Sequence, residues 1–212
     1  MRKHALHLVT TGRQELEETL AVLSRCDSAL IDVVHIREKH RTARDIMRWH
    51  HALAEALPHT RIYINDRVDA AAAVDAPGVQ LGYASVPPAT ARRMLVAGTR
   101  IGRSVHSAAE AEEAQAAGAD FVIFGHVYAT GSKEGLAPRG PEALADVVRA
   151  VDVPVIAIGG IEPDKVGEVL STGAAGIAVM SSVFFHADPG RQAALFRAAL
   201  DSSTHTPRRL FT

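Results

Sequence analysis

Apolar residues fall along this chain in short runs, and alanine-rich stretches of helical periodicity separate them. The runs predict strands at residues 6–10, 31–37, 61–65, 78–81, 100–105, 121–125, 155–158 and 176–179. Several, such as Phe121-Val122-Ile123-Phe124, are unbroken rather than alternating. That pattern marks strands buried on both faces, as in a parallel sheet covered by helices. Between the runs, residues 43–56, 108–117 and 142–150 read as helices. A weak repeat reinforces the alternation: Gly118-Ala119-Asp120 and Gly173-Ala174-Ala175 each lead into a strand, with the glycine placed to end a helix in the left-handed conformation. Eight strands alternating with helices predict an α/β domain, and the count favours a closed (β/α)8 TIM barrel over an open sheet.

A length of 212 residues suits one such domain, 1–212, with a frayed tail from about residue 201 where Ser, Thr, His, Pro and Arg accumulate. Hydrophobic residues at 47% and charged residues at 22% are ordinary for a globular protein. A net charge of -1 offers no basic field, which argues against a nucleic-acid partner. With a single cysteine, Cys26, no disulfide can form within the chain, and a cytoplasmic setting is expected. Cys26 itself reads as an incidental thiol. No stretch is long and apolar enough to cross a bilayer, and the N-terminal run lacks the pattern of a secretory signal.

In a barrel, polar residues at the C-terminal ends of strands are the first candidates for chemistry. The second strand ends in His35-Ile36-Arg37-Glu38-Lys39. Alternation puts His35, Arg37 and Lys39 on one side with Ile31 and Val33, and such a trio suits a carboxylate or phosphate. Glu38 reads as a solvated loop charge. After the third strand, Asp66 reads as a cap and Asp69 as a first-turn acid of the next helix, while Asn65 points an amide at the site. Gly102, Ser104 and His106 share a face of the fifth strand, and Ser107 with Glu110 forms a capping box. The sixth strand ends at Gly125-His126 before a long glycine-flanked loop carrying Lys133. An imidazole at His126 titrates near neutrality and can move a proton. Gly159-Gly160 after the seventh strand and Ser181-Ser182 after the eighth together form a phosphate site.

Taken together, HIREK, NDRVD, GVQLG, IGRSVHS, FGHVYATGSK, PVIAIGGI and GIAVMSS resemble the thiamin phosphate synthase superfamily over about residues 6–199. The synthases of that family hold magnesium on two acidic residues. One corresponds to Asp66; the other falls at Ser85, and a hydroxyl there removes a hard anionic ligand. The family glutamine of the second strand is His35, and the family proline after the sixth is His126. FGHVYATGSKEGLAPRG and IGRSVHS look instead like the TenI branch, the thiazole tautomerases.

That resemblance implies an isomerase that aromatises a phosphorylated thiazole carboxylate supplied by thiazole synthase, needing no cofactor and no metal. In that scheme His126 is the acid/base, Arg37 and Lys39 bind the carboxylate, and Gly159, Gly160, Ser181 and Ser182 bind the phosphate. Lys133 closes over the ligand, and His35, Asn65, Ser104 and His106 complete the substrate site. A homodimer is plausible from the resemblance alone. The alternatives are a magnesium-dependent thiamin phosphate synthase and a non-catalytic regulator that binds thiazole phosphate.

Overall fold

In the computed structural model, which describes residues 2–133 and 135–211, β1 (Ala5–Val9) and β2 (Val33–Ile36) begin a run of parallel strands. The run continues through β3 (Arg61–Asn65), β4 (Gly78–Leu81), β5 (Arg100–Val105), β6 (Phe121–Gly125), β7 (Val155–Ile158) and β8 (Gly176–Val179). Each strand pairs with the next, and β8 returns to β1, so the sheet closes in sequence order. The expected (β/α)8 barrel is therefore the observed fold. Helices α1 (Leu16–Leu23), α2 (Ala43–Ala56), α3 (Val68–Ala73), α4 (Pro88–Met94), α5 (Ala108–Ala116), α6 (Gly140–Ala150) and α7 (Val166–Ser171) occupy the connections. After β8 come a single turn, α8 (Ser181–Phe184), and a longer helix, α9 (Pro189–Asp201).

Local chemistry explains several boundaries. Thr42 and Asp45 form a reciprocal capping box that starts α2. Gly118 and Gly173 both adopt positive φ, 91° and 89°, where α5 and α7 end. The second strand starts later than its apolar pattern suggests. A turn of 3-10 helix at Ser28–Leu30, capped by the Asp27 carboxylate, delivers Ile31 into the layer between strands and helices. Ile31 thus faces outward, and only Val33 and His35 enter the interior face of β2. Cys26 is buried too, and desolvation pushes its thiol up to about 11, as befits an inert core residue.

Two apolar layers result. The larger lies between sheet and helices. The smaller fills the barrel itself with Val9, Val33, Tyr63, Phe121, Ile123, Ile156 and Ala178 among others. Small neighbours make room for the aromatic rings: a Cβ on Gly78 would stand 2.5 Å from the Tyr63 ring, and one on Gly102 would stand 2.2 Å from Phe121.

The N-terminal end of the barrel is closed by the C-terminal segment. Arg197 of α9, almost wholly buried, pairs with Asp32 at 3.1 Å and donates to the carbonyl of His4 at 2.9 Å. Beyond α9 the chain runs back under the barrel. The Arg208 amide donates to Gly173 at 3.0 Å, Arg209 pairs with Asp152 at 2.6 Å, and Phe211 packs edge-on against His7 and Phe121. The expected fraying from about residue 201 is corrected by these contacts: the polar composition there hides one aromatic anchor and a set of arginines with partners.

Candidate active site

Glu38 organises the cavity mouth between β1 and β2. Its Oε1 accepts from the Thr10 hydroxyl at 2.6 Å and the Gly12 amide at 3.2 Å, and Thr10 Oγ1 accepts from the Arg37 amide at 2.8 Å. Only 6% of Glu38 is exposed, and burial raises its carboxyl pKa, opposed by those hydrogen bonds. The expected solvated loop charge is thus a buried tie, because the turn after β1 folds over it. With Glu38 directed into that tie, Arg37 faces the cavity half-buried and Lys39 stands exposed at the rim.

At the end of β3, Asp66 takes a positive φ of 62°, and its carboxylate crosses to the loop after β4. There Oδ1 accepts from the Gly82 amide at 2.9 Å and from the Ser85 hydroxyl in a short contact. Asp66 therefore does not cap α3; its left-handed backbone aims the carboxylate elsewhere, and Arg67 at the cap position has no side-chain cap bond. Asp69 does occupy the first turn of α3, in a two-pronged pair with Arg67. On β5, Ser104 accepts from Gln80 Nε2 of β4 at 2.9 Å. The capping box expected at Ser107 is half formed. Ser107 accepts from the Glu110 amide, but the Glu110 carboxylate reaches past it to the amide and ring of His106, at 2.8 and 3.1 Å.

His126 follows β6 through a cis peptide bond from Gly125 and is buried. Its Nε2 lies 3.3 Å from the carbonyl of Leu136, in the loop that carries Lys133. Arg139 pins the return of that loop, donating from Nε to Gly125 and from its amide to His126. Gly159 and Gly160 take positive φ, 109° and 62°, against this segment. A Cβ on Gly159 would strike the His126 Cβ at 2.4 Å. Ser181 and Ser182 open α8.

All these strand ends border one cavity of about 530 Å³ at the C-terminal mouth of the barrel. It brings together His35, Arg37, Lys39, Asn65, Ser104, His106, His126, Lys133, Gly159, Gly160, Ser181 and Ser182. The cavity also takes in residues that sequence reasoning missed or misplaced. Asp66 has two readings in the sequence, a cap from its position and a magnesium ligand from the family resemblance, while Gln80 and Tyr83 carry no expectation. For Gln80 a signal existed: alternation along Gly78-Val79-Gln80 places a polar residue between glycines on the inner face. At the floor, fully buried His35 has its pKa pushed down to about 3 by desolvation, against a smaller upward pull from Asn65. Its imidazole is therefore neutral at physiological pH.

Fold and cavity define a (β/α)8 barrel with cations and two acidic residues, Asp66 and Glu162, around a pocket at the strand C-termini. The chain belongs to the family described as thiamine monophosphate synthase, whose profile matches residues 6–183. It is 42% identical over 163 residues to a thiamine-phosphate synthase of Chlorobium phaeovibrioides, covering 74% of this chain and 77% of the relative. It is 38% identical to that of Haloquadratum walsbyi, over 93% of this chain and 92% of the relative. Among solved structures, a thiamine phosphate pyrophosphorylase from Pyrococcus furiosus superposes with a TM-score of 0.81 at 33% identity, covering 94% of this chain and 96% of that one. A 3-hexulose-6-phosphate synthase at 17% identity and a TM-score of 0.73 shares the fold alone.

These relatives overturn the expected isomerase. The Chlorobium and Haloquadratum relatives are named thiamine-phosphate synthase, a transferase, and the Pyrococcus structure thiamine phosphate pyrophosphorylase; none of the three is named for TenI-type tautomerase activity. The tautomerase reading rested on His35, Ser85 and His126 as departures from the synthase pattern and on the segments FGHVYATGSKEGLAPRG and IGRSVHS. Ser85, expected to remove one hard anionic ligand, is hydrogen-bonded to the Asp66 carboxylate, and His126 Nε2 faces a loop carbonyl.

Proposed function

We propose that this protein is a thiamine-phosphate synthase. The reaction joins a pyrimidinylmethyl diphosphate to a thiazole phosphate. The methylene carbon forms a C–N bond to the thiazole nitrogen as its C–O bond breaks, and diphosphate leaves with that electron pair. The carrying observation is that Asp66 shares one cavity with Arg37, Lys39 and Lys133. A diphosphate leaving group needs its charge neutralised as the bond breaks, and cations aimed at that charge provide this without reorganising. Arg37 offers a fork to two phosphate oxygens, while Lys39 and Lys133 contribute movable charges from opposite sides of the mouth.

Such a reaction implies magnesium, and the donors suit it in a restricted way. Among the described residues no group of three His, Cys, Asp or Glu side chains could hold an ion alone. Magnesium, however, is commonly held by one or two carboxylates together with substrate phosphates. Asp66 is one such carboxylate, with the Ser85 hydroxyl beside it, so these two residues would hold the ion jointly with the diphosphate. When bound it would neutralise charge on the leaving group. The thiazole phosphate is assigned to Gly159, Gly160, Ser181 and Ser182, across the cavity from the Asp66 side. The heterocycles then lie over His35, Asn65, Ser104 and Gln80. His126 holds the loop carrying Lys133 through Leu136, and His106 lines the same wall.

Purified protein is tested with hydroxymethylpyrimidine diphosphate, thiazole phosphate and magnesium. Thiamine phosphate and diphosphate should appear in equal amounts. Asp66→Asn should lower turnover by about 100-fold or more, the scale of losing a preorganised charge at a transferring phosphate. No product from folded wild-type protein at saturating substrates would overturn the reading.

A further inference from the structure

Beneath the cavity floor lies a contact that the transferase reading does not use. His7 Nδ1 and His35 Nε2 are 2.9 Å apart, with both rings fully buried and stacked at 5.1 Å. A neutral imidazole carries one N–H, so the direction of this hydrogen bond fixes the state of each ring's far nitrogen. If His7 donates, His35 Nε2 is bare and His35 Nδ1 carries the hydrogen. If His35 donates, its Nδ1 is bare.

The surroundings of both far nitrogens select the first state. His35 Nδ1 and Asn65 Oδ1 are both buried without a partner in full hydrogen-bonding geometry, and the Asn65 side chain acts on His35 as a hydrogen-bonding neighbour that favours protonation. A bare Nδ1 would oppose lone pairs to lone pairs there, whereas an N–H is complementary to the amide oxygen. At the other end, His7 Nε2 is likewise unpartnered. The His7 ring is packed by Phe121 and Phe211, and the Arg61 guanidinium lies over Phe211 at 5.1 Å. Positive charge on that side favours a lone pair on His7 over another N–H.

We infer that His7 is a positioning residue: by donating to His35 Nε2 it locks His35 as the Nδ1–H tautomer, a donor at the cavity floor for a ring nitrogen of the heterocyclic substrate. Asn65 Oδ1 beside it then offers an acceptor. Donor next to acceptor matches a ring nitrogen flanked by an exocyclic amino group, as in an aminopyrimidine. The identity of that substrate rests on the transferase reading; the tautomer does not.

The test labels histidine nitrogens with 15N and assigns His35 by comparison with His35→Gln. The free wild-type protein should show a protonated Nδ1 and a bare Nε2. His7→Gln, whose amide N–H can donate to the same nitrogen, should keep that state. His7→Leu, of similar volume, should lose it. KM for hydroxymethylpyrimidine diphosphate should rise about tenfold in His7→Leu, the worth of one hydrogen bond, and be restored in His7→Gln with kcat little changed in either. A bare Nδ1 in the wild type overturns the inference, and so does a His7→Leu protein with unaltered KM. If His7→Leu does not fold, the wild-type spectrum decides alone. Because that spectrum needs no turnover, a protein that makes no thiamine phosphate would sink the transferase reading and leave the tautomer to be judged separately.

Discussion

At the centre of the barrel, burial decides the charge of two residues. His35 is pushed down to about 3, and His7 falls well below 6.5 because it is desolvated and feels His35 and Arg61. The unfolded chain protonates both near 6.5, whereas the folded chain keeps them neutral. Below that pH the unfolded state binds more protons, so this contribution is complete above about pH 6.5 and is lost as the pH falls toward the folded values. Each imidazole adds a slope of about 1.4 kcal/mol per pH unit in that window. Urea unfolding between pH 6 and pH 5 should therefore show a wild type that loses more stability than a His7→Gln, His35→Gln double variant, by about 1 kcal/mol or more from His35 with a loss of the same sign from His7. Equal slopes would mean that the pair is hydrated or charged in the folded protein. Residue chemistry at the strand ends was legible from type and alternation alone. The directions of Asp66 and Glu38 were not, since each side chain is aimed by hydrogen bonds from a different strand's loop.

Among the elements, strands were easiest to read, because a buried parallel strand must be apolar on both faces and short. The exception, at Ile31, comes from a helical turn that delays the start of β2. Caps were less legible. Ser107 and Glu110 have the spacing of a capping box, yet His106 competes successfully for the carboxylate. The end of β7 provides the test at this scale. Gly159 combines a φ of 109° with contact against His126, so alanine there must both strain the backbone and displace the segment after β6. Gly159→Ala should cost more than about 2 kcal/mol in guanidinium unfolding and weaken binding of thiazole phosphate. A variant as stable as the wild type would show that the β6 and β7 ends are looser than their packing implies.

For the molecule as a whole, function gathers at one end of the barrel and closure at the other. The C-terminal segment places Phe211 under His7 and Phe121 and joins Gly173 and Asp152 through its arginines. Truncation after Thr204 removes that plug. It should lower stability by about 2 kcal/mol, the scale of burying one aromatic side chain, while turnover at saturating substrates persists. An unchanged thermal midpoint would make the segment dispensable to the fold.

The sequence by itself determined the barrel and its functional end. Strand burial leaves a periodic apolar record, and polar residues after such strands can only emerge at the mouth. It also carried the family, spread over seven ordered segments. Tertiary structure alone decided which charges are buried, what Asp66 touches, and that His7 lies under His35. Those outcomes depend on strand register around a closed sheet, which sets residues far apart in the chain side by side, and no local pattern encodes that neighbourhood. The choice of synthase over tautomerase came from neither source alone. Three departures, at His35, Ser85 and His126, and two short segments pointed one way, and similarity over most of the chain points the other.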